Sequence, residues 1–183
     1  MNVLEAIQAR TSALKLGEPG PSRAHLEQII AAGARAPDHG RLRPWRFIVL
    51  EGAARMRLGD AMAAMLQAKV PDIGPDQLAK ERSKPFRAPT IVAVAAKITQ
   101  GKIPEVEQVL AAGAATQNMF LAAQALGYGA MWKTGGAAYD PSVKALLGLA
   151  PEDHIVALLY LGTTTVPGPL VEAPTQGVVR WME

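Results

Sequence analysis

The chain of 183 residues contains no cysteine, and this absence removes several kinds of chemistry at once. Disulfides, thiolate zinc sites, iron–sulfur clusters and cysteine nucleophiles all require that side chain. Histidine is also scarce, since His25, His39 and His154 are the only three and are far apart in sequence. We therefore predict no metal centre. If so poor a set of reactive side chains belongs to an enzyme, its chemistry comes from a cofactor.

Several familiar signatures are also missing. There is no Gly-x-Ser-x-Gly nucleophile elbow, no Gly-x-Gly-x-x-Gly dinucleotide motif and no Walker A loop. Glu5 and Arg10 interrupt the N-terminal segment, so it has no secretory hydrophobic region. The uncharged stretch from Gln108 to Trp132 holds polar residues and glycines, which favours a buried helix over a membrane span. We expect a cytoplasmic protein with no membrane partner.

The composition indicates a folded domain: 49% of the residues are hydrophobic, and the net charge is only +3. We predict one domain over residues 1–183, with an extended C-terminal tail over about 164–183. Apolar spacing and turn residues predict helices over 2–10, from Ser22 to before Pro37, 53–70, from Pro75, 104–126 and from Pro141. Strands are predicted over 46–51, 90–96, 128–132 and 155–161. Because helices and strands do not alternate strictly, the fold class is α+β.

The predicted long helix has a middle made only of small residues, Ala111 to Ala115. Small side chains let another backbone approach closely. We therefore expect tight packing of a neighbouring element at this helix.

The first candidate site is Arg10-Thr11-Ser12, with Lys15 nearby. A guanidinium fork, two hydroxyls and backbone N–H groups together suit a phosphate. The alternative interpretation is a solvated helix end, where an arginine complements the helix dipole.

The second candidate is the segment from Arg35 to Arg46, which contains four arginines, His39 and Trp45. This is the strongest local positive field in the chain, and it would attract an anion or a nucleic acid. The alternative is a helix-to-strand loop whose arginines pair with acidic neighbours. Trp45 adjoins a predicted strand, so we expect it in the core.

The third candidate follows the strand that ends in Trp132-Lys133-Thr134, where Gly135 and Gly136 come next. Glycines expose backbone donors and allow a flat ligand to approach closely. The alternative is an ordinary flexible turn.

Taken together, these segments resemble the nitroreductase family of FMN-dependent oxidoreductases, most closely its compact NAD(P)H nitroreductase subgroup. The resemblance runs from about residue 2 to 165. It rests on the order of these motifs: Leu-Glu-x-Ile-x-x-Arg-x-Ser (4–12), Ala-Gly-x-x-Ala-Pro-Asp-His (32–39), Pro-Trp-Arg-Phe-x-Val (44–49), Pro-Phe-Arg-Ala-Pro (85–89), Gly-Tyr-Gly-Ala-Met-Trp-Lys (127–133) and Leu-Tyr-Leu-Gly-Thr (159–163).

The resemblance implies an antiparallel-rich central sheet flanked by helices, assembled as an intertwined homodimer with FMN at the interface. It also implies an enzyme that takes hydride from NADH or NADPH and passes it to a nitroaromatic or quinone-like acceptor by a ping-pong mechanism. No side chain is then expected to be catalytic, because the flavin carries the chemistry.

The residues that match family motifs carry the expected roles. Arg10, Thr11 and Ser12 would hold the FMN phosphate and ribityl chain. Arg35 and His39 would approach the flavin, with His39 coming from the other subunit. Trp132, Lys133 and Thr134 would line the ring. The nicotinamide nucleotide is associated with the segment Ala122, Ala123, Gln124, Ala125, Leu126 and Gly127.

The sequence also departs from the family. Asp38, Arg41 and Arg43 stand where larger members have serine, asparagine and glutamine, so the amides that would read the flavin's pyrimidine edge are absent. The larger members' C-terminal phosphate clamp is not visible, and Arg180 is the only basic residue of the tail. Two alternatives remain: an anion or nucleic-acid binding module built on the Arg35–Arg46 loop, and a flavin-binding protein without turnover.

Overall fold

The computed structural model of the chain describes residues 2–182 and has the predicted α+β architecture. One five-stranded antiparallel sheet is flanked by helices on both faces. The helices are α1 Val3–Ala9, α2 Arg23–Gly33, α3 Ala53–Lys69, α4 Pro75–Ser83, α5 Glu105–Ala125 and α6 Pro141–Leu146. The strands are β1 Lys15–Gly17, β2 Trp45–Leu50, β3 Thr90–Ala96, β4 Gly129–Lys133 and β5 His154–Val166.

The longest strand, β5, is the common partner of three others. It pairs with β3 through Thr90 opposite Leu161, with β4 through Gly129 opposite Gly162, and at its end with β1. β2 pairs with the other edge of β3 over its whole length. β3 therefore lies inside the sheet, and all seven of its residues are buried, as the nearly continuous apolar sequence predicts.

Two hydrophobic clusters cover the two faces of this sheet. Because side chains alternate along a strand, neighbouring residues of β3 enter different clusters: Ile91 one and Val92 the other. The first cluster adds residues of α3 and α6, among them Leu58 and Val143. The second is built on α2 and α5, so we call these faces the α3 face and the α5 face. Both clusters pack against the same sheet, one on each face.

The two faces differ in how their helices meet neighbours. On the α3 face, Gly59 of α3 lies so close to α4 that a Cβ there would overlap the carbonyl oxygen of Arg82. On the α5 face, Gly33 of α2 lies against Met119, and a Cβ would come within 2.7 Å of its side chain. Gly113 of α5 is different, because a Cβ there would meet nothing within 4 Å. The tight packing predicted for the small-residue stretch is thus not made at Gly113 within the chain.

Three features of the structure differ from the sequence predictions. Residues 164–166 belong to β5, so the tail without regular strands begins only at residue 167. The short strand β1, which pairs with the end of β5, was not predicted. Single 3₁₀ turns over His39–Arg41, Lys84–Arg87 and Gly136–Tyr139 were also not predicted. Within residues 2–182, no helix is long and apolar enough to cross a membrane.

Candidate functional site

The segment Arg10-Thr11-Ser12 follows directly on α1 and is tied to the sheet by its neighbours. Ala13 N donates to Ala130 O at 3.0 Å, and Leu14 N donates to Val166 O at 2.9 Å. The Arg10 guanidinium lies over the ring of Phe120 on α5, 5.2 Å from the ring centre. This cation–π contact fixes the position of the charge without neutralising it.

The same segment offers free hydrogen-bond donors. Within residues 2–182, no carboxylate pairs with Arg10, and the backbone N–H groups of Thr11 and Ser12 donate to no protein group. These groups line a cleft of about 860 Å³, whose opposite wall comes from residues 169–173. A fixed cation, two free amides and two hydroxyls at one cleft form a donor set that suits an anion.

A second cavity lies behind the turn that follows β4. Lys133, Thr134, Gly135 and Gly136 form one wall of this cavity of about 160 Å³. Lys133 also lines a neighbouring cleft of about 350 Å³, which reaches Leu14 and thereby the Arg10 segment. The first and third candidate motifs are therefore brought to one continuous surface of the chain.

The floor of the cavity is provided by residues that sequence reasoning did not single out as site residues. Glu81 is buried and forms an ion pair with Lys84, Arg87 also lines the cavity, and Tyr160 comes from the middle of β5. Burial raises the pKa of Tyr160 to about 12, although the nearby charge of Arg87 opposes that rise and Glu81 adds to it. Arg87 belongs to the Pro-Phe-Arg-Ala-Pro motif and Tyr160 to the Leu-Tyr-Leu-Gly-Thr motif, and these two motifs were the sequence signals that could have indicated this floor.

Trp132 does not share this wall. Successive residues of a strand point to opposite faces, and Met131 belongs to the α3-face cluster while Ala130 belongs to the α5-face cluster. Trp132 therefore points to the α5 face, where its Nε1 donates to Val156 O at 3.0 Å. Lys133 and Thr134 are brought to the cavity, and Trp132 is not.

The basic loop, residues 35–46, follows α2 and includes the first two residues of β2, and its four arginines are exposed. Arg46 donates to the carbonyl oxygens of Arg43 and Trp45, and Asp38 Oδ2 accepts from the Arg43 backbone N–H at 2.6 Å. Within the described residues, none of the four arginines forms an ion pair with a carboxylate. The alternative in which acidic neighbours neutralise this loop is not what the structure shows. Trp45 is only partly buried, at the first position of β2.

His39 lies away from the Arg10 segment. Its Nδ1 is 2.5 Å from Glu107 Oε2, in the first turn of α5, whereas Arg10 contacts Phe120 near the other end. Thirteen residues of helix separate Glu107 from Phe120, which is a distance of about 20 Å. One chain therefore does not bring His39 and Arg10 to the same ligand phosphate.

The segment Ala122–Gly127 forms the C-terminal end of α5. Ala123 is fully buried, and its carbonyl accepts from the Tyr128 N–H at 2.9 Å, while Gly127 has the positive φ of 86° that such helix ends favour. The negative end of a helix dipole does not attract phosphates. The role of this segment in nucleotide binding stays a prediction, and it receives no support from this geometry.

Comparison with known proteins places this arrangement in a family. The sequence model of the nitroreductase family matches residues 7–163. The chain is 42% identical over 166 residues to "Putative NAD(P)H nitroreductase YdjA" of Escherichia coli (strain K12), covering 89% of this chain and 88% of that protein. The chain belongs to the nitroreductase family and is an oxidoreductase.

Solved structures agree at the level of the fold. A nitroreductase-like family protein from Bacillus cereus superposes with a TM-score of 0.84 at 23% identity, covering 100% of this chain and 97% of that one. A nitroreductase with bound FMN from Bacteroides fragilis superposes with a TM-score of 0.74 at 24% identity, covering both chains fully. The predicted family and fold class are thereby confirmed.

Proposed function

We propose that the chain is an FMN-dependent oxidoreductase that takes hydride from NADH or NADPH and delivers it to a nitroaromatic or quinone-like acceptor. In this ping-pong scheme, donor and acceptor use the same space in turn. The observation that carries the proposal is the Arg10 segment, a fixed and unpaired guanidinium beside two free backbone N–H groups. The relatives named as NAD(P)H nitroreductases and the FMN-bound fold neighbour support it.

The residues present fit FMN. Arg10, Thr11 and Ser12 would hold the phosphate and the ribityl chain at the large cleft. Arg35 is exposed and unpaired, and we propose that it adds positive charge toward the same group. When bound, FMN supplies the hydride acceptance and donation that no side chain of this sequence provides.

The ring would lie at the turn after β4. Gly135 and Gly136 leave that wall free of bulky side chains, and Gly135 has a φ of 62°, which glycine adopts without strain. Lys133 would place positive charge there, and this charge would favour the electron-rich reduced form of the ring over its oxidised form. We propose that Lys133 and Thr134 line the ring, whereas Trp132 supports β4 from the opposite face.

Two further features support a homodimer. His39 and Arg10 are separated along α5, so both reach one flavin only if His39 comes from the other subunit. The outer side of α5 is also uncovered: Val106 and Leu110 are 61% and 66% exposed, and Gly113 faces open space. A second copy packed on this side would bury these apolar residues and complete the site.

The proposal is tested first by an absorption spectrum of the purified protein and by FMN titration. The wild type should bind FMN, and Arg10→Ala should weaken FMN binding by about tenfold to a hundredfold, because a charged hydrogen-bond partner of the phosphate is lost. Arg23→Ala is the matched control, since Arg23 is exposed on α2 and pairs only with Glu27. Equal FMN affinity in wild type and Arg10→Ala would remove Arg10 from the site.

Turnover separates the enzyme from a flavin-storage protein. Anaerobic mixing with NADH or NADPH should bleach the flavin, and a later addition of a quinone or nitroaromatic compound should restore its colour. A flavin that binds but is not bleached by either nucleotide would contradict the donor half of the proposal. A bleached flavin that no such acceptor reoxidises would contradict the acceptor half.

A further inference from the structure

The four arginines of the basic loop carry charges that no other described residue neutralises, whereas His39 of the same loop pairs with Glu107. The twelve residues of the loop contain four arginines and one acidic residue, Asp38, which gives a formal charge of +3, equal to that of the whole chain. Within residues 2–182, no carboxylate lies within ion-pair distance of these arginines. An uncompensated positive field of this kind attracts anions.

The loop is held in an unusual conformation. Gly40, Arg41 and Arg43 have φ values of 71°, 55° and 48°, in the left-handed region that side chains rarely adopt. The Asp38 carboxylate fixes the loop by accepting from the Arg43 backbone N–H. Residues held in this region by their surroundings are concentrated at functional sites. The loop therefore presents its side chains from a fixed backbone.

Two of the four arginines, Arg41 and Arg43, have side chains that form no hydrogen bond or ion pair with a described protein group. The Arg46 guanidinium donates to two carbonyl oxygens of the loop itself, and Arg35 is assigned to the flavin under the proposed function. Arg41 and Arg43 are exposed, and within the described residues their side chains bind no protein group. These two guanidiniums are the ones available to a ligand.

We propose that Arg41 and Arg43 bind the 2′-phosphate of NADPH and make this protein select NADPH over NADH. The inference rests on the proposed function, because His39 in the same turn is the residue that would reach the partner's flavin and thus bring the loop to the mouth of that site. A phosphomonoester carries close to two negative charges and offers three acceptor oxygens, which suits a pair of guanidinium forks.

Nucleic acid fits the loop less well. Single-stranded nucleic acids need aromatic platforms beside the cations, and Trp45 is partly buried at the start of β2. The other tryptophan near the site, Trp132, lies on β4 and is bonded to Val156. A small ligand with one concentrated anionic group is the better match to two exposed guanidiniums that lie two residues apart in the chain.

The test compares Arg41→Gln, Arg43→Gln and the double variant with wild type, all as FMN-loaded protein. Glutamine keeps a long unbranched side chain and removes only the charge and the fork, so the backbone preference at these φ values changes little. The ratio of kcat/KM for NADPH to that for NADH should fall about tenfold for each substitution. Arg23→Gln, on the exposed side of α2, is the control and should keep the wild-type ratio.

A binding measurement checks the assignment without turnover. Calorimetry with adenosine 2′,5′-bisphosphate and with 5′-AMP separates the 2′-phosphate from the rest of the nucleotide. Wild type should bind the bisphosphate about tenfold or more tightly than 5′-AMP, and the double variant should bind both equally. FMN content, read from the spectrum of each variant, shows that the fold is intact.

Three results would overturn the inference. One is an unchanged nucleotide ratio in the double variant, and another is an equal fall for NADPH and NADH. The third is a double variant that loses only activity with an anionic acceptor, measured with 4-nitrobenzoate against nitrobenzene, or only affinity for a single-stranded oligonucleotide. If the wild type binds no FMN but still prefers the bisphosphate through Arg41 and Arg43, the proposed function fails and this phosphate site stands.

Discussion

Two helix glycines, Gly59 on α3 and Gly113 on α5, occupy opposite surroundings. At Gly59 a Cβ would overlap the backbone of Arg82 on α4, so the chain itself explains why no side chain fits there. At Gly113 the space within 4 Å is open. The surface of α3 at Gly59 is thus closed by the chain's own elements, whereas the outer side of α5 exposes small and apolar residues. The comparison supports the proposed dimer, in which a second copy packs on the outer side of α5.

The largest loss of stability is expected at Gly59, where α4 packs directly against α3. Gly59→Ala should destabilise the fold by about 3 kcal/mol, because the carbonyl of Arg82 cannot move aside without shifting α4. The free energy of unfolding, measured in urea, is the readout. Gly101→Ala is the control, since a Cβ at Gly101 meets nothing within 4 Å and should leave stability nearly unchanged. Equal stability of the two variants would mean that α3 and α4 leave room for a methyl group at Gly59.

A second prediction concerns Tyr160, which belongs to the α3 face and has a pKa raised from 10.0 to about 12. As pH rises, Tyr160 ionises in the unfolded chain before it ionises in the folded protein. Its contribution to the free energy of unfolding is therefore fully present below pH 10 and is lost as pH rises toward 12. The loss should approach about 2 to 3 kcal/mol. The difference in unfolding free energy between wild type and Tyr160→Phe, followed from pH 9 to 12, isolates it. A difference that does not change with pH would contradict the buried, neutral hydroxyl.

The smallest change in the free energy of unfolding is expected at Gly113, on the outer side of α5. Gly113→Leu should leave the monomer as stable as wild type, since leucine suits a helix better than glycine and a Cβ at this position meets nothing within 4 Å. The proposed dimer should weaken by about tenfold or more, with parallel loss of FMN affinity. Sedimentation over a range of concentrations measures this, with Ala64→Leu on the exposed side of α3 as control. A flavin-loaded Gly113→Leu dimer of unchanged affinity would place the interface elsewhere.

Much of the fold could be predicted because its signals are local. The apolar spacing of α2, α3 and α5, the cap at Ser22 and the buried run of β3 each depend on neighbouring residues. β1 could not be predicted in this way. Its three residues form a strand only because the end of β5, about 150 residues later, lies beside them.

In the candidate site, too, some residues could be predicted from their sequence neighbours and others depend on the folded arrangement. Arg10 and Lys133 could be singled out from sequence because their side-chain chemistry and glycine neighbours are visible there. The buried Glu81 and Tyr160 could not, since a glutamate on a helix and a tyrosine in a strand are ordinary until the fold places them in one cavity. The left-handed backbone at Arg41 and Arg43 was also hidden, because arginine carries no signal for that conformation.

The central position of β5 has a consequence for synthesis. β1, β3 and β4 all hydrogen-bond to this strand, and it begins only at His154. While the ribosome is still adding the first 150 residues, three strands lack the partner that aligns them, and the antiparallel pair of β2 and β3 is the only part of the described sheet able to form. Assembly of the sheet therefore waits for the last sixth of the chain to emerge, an interval in which exposed strand edges invite chaperone binding.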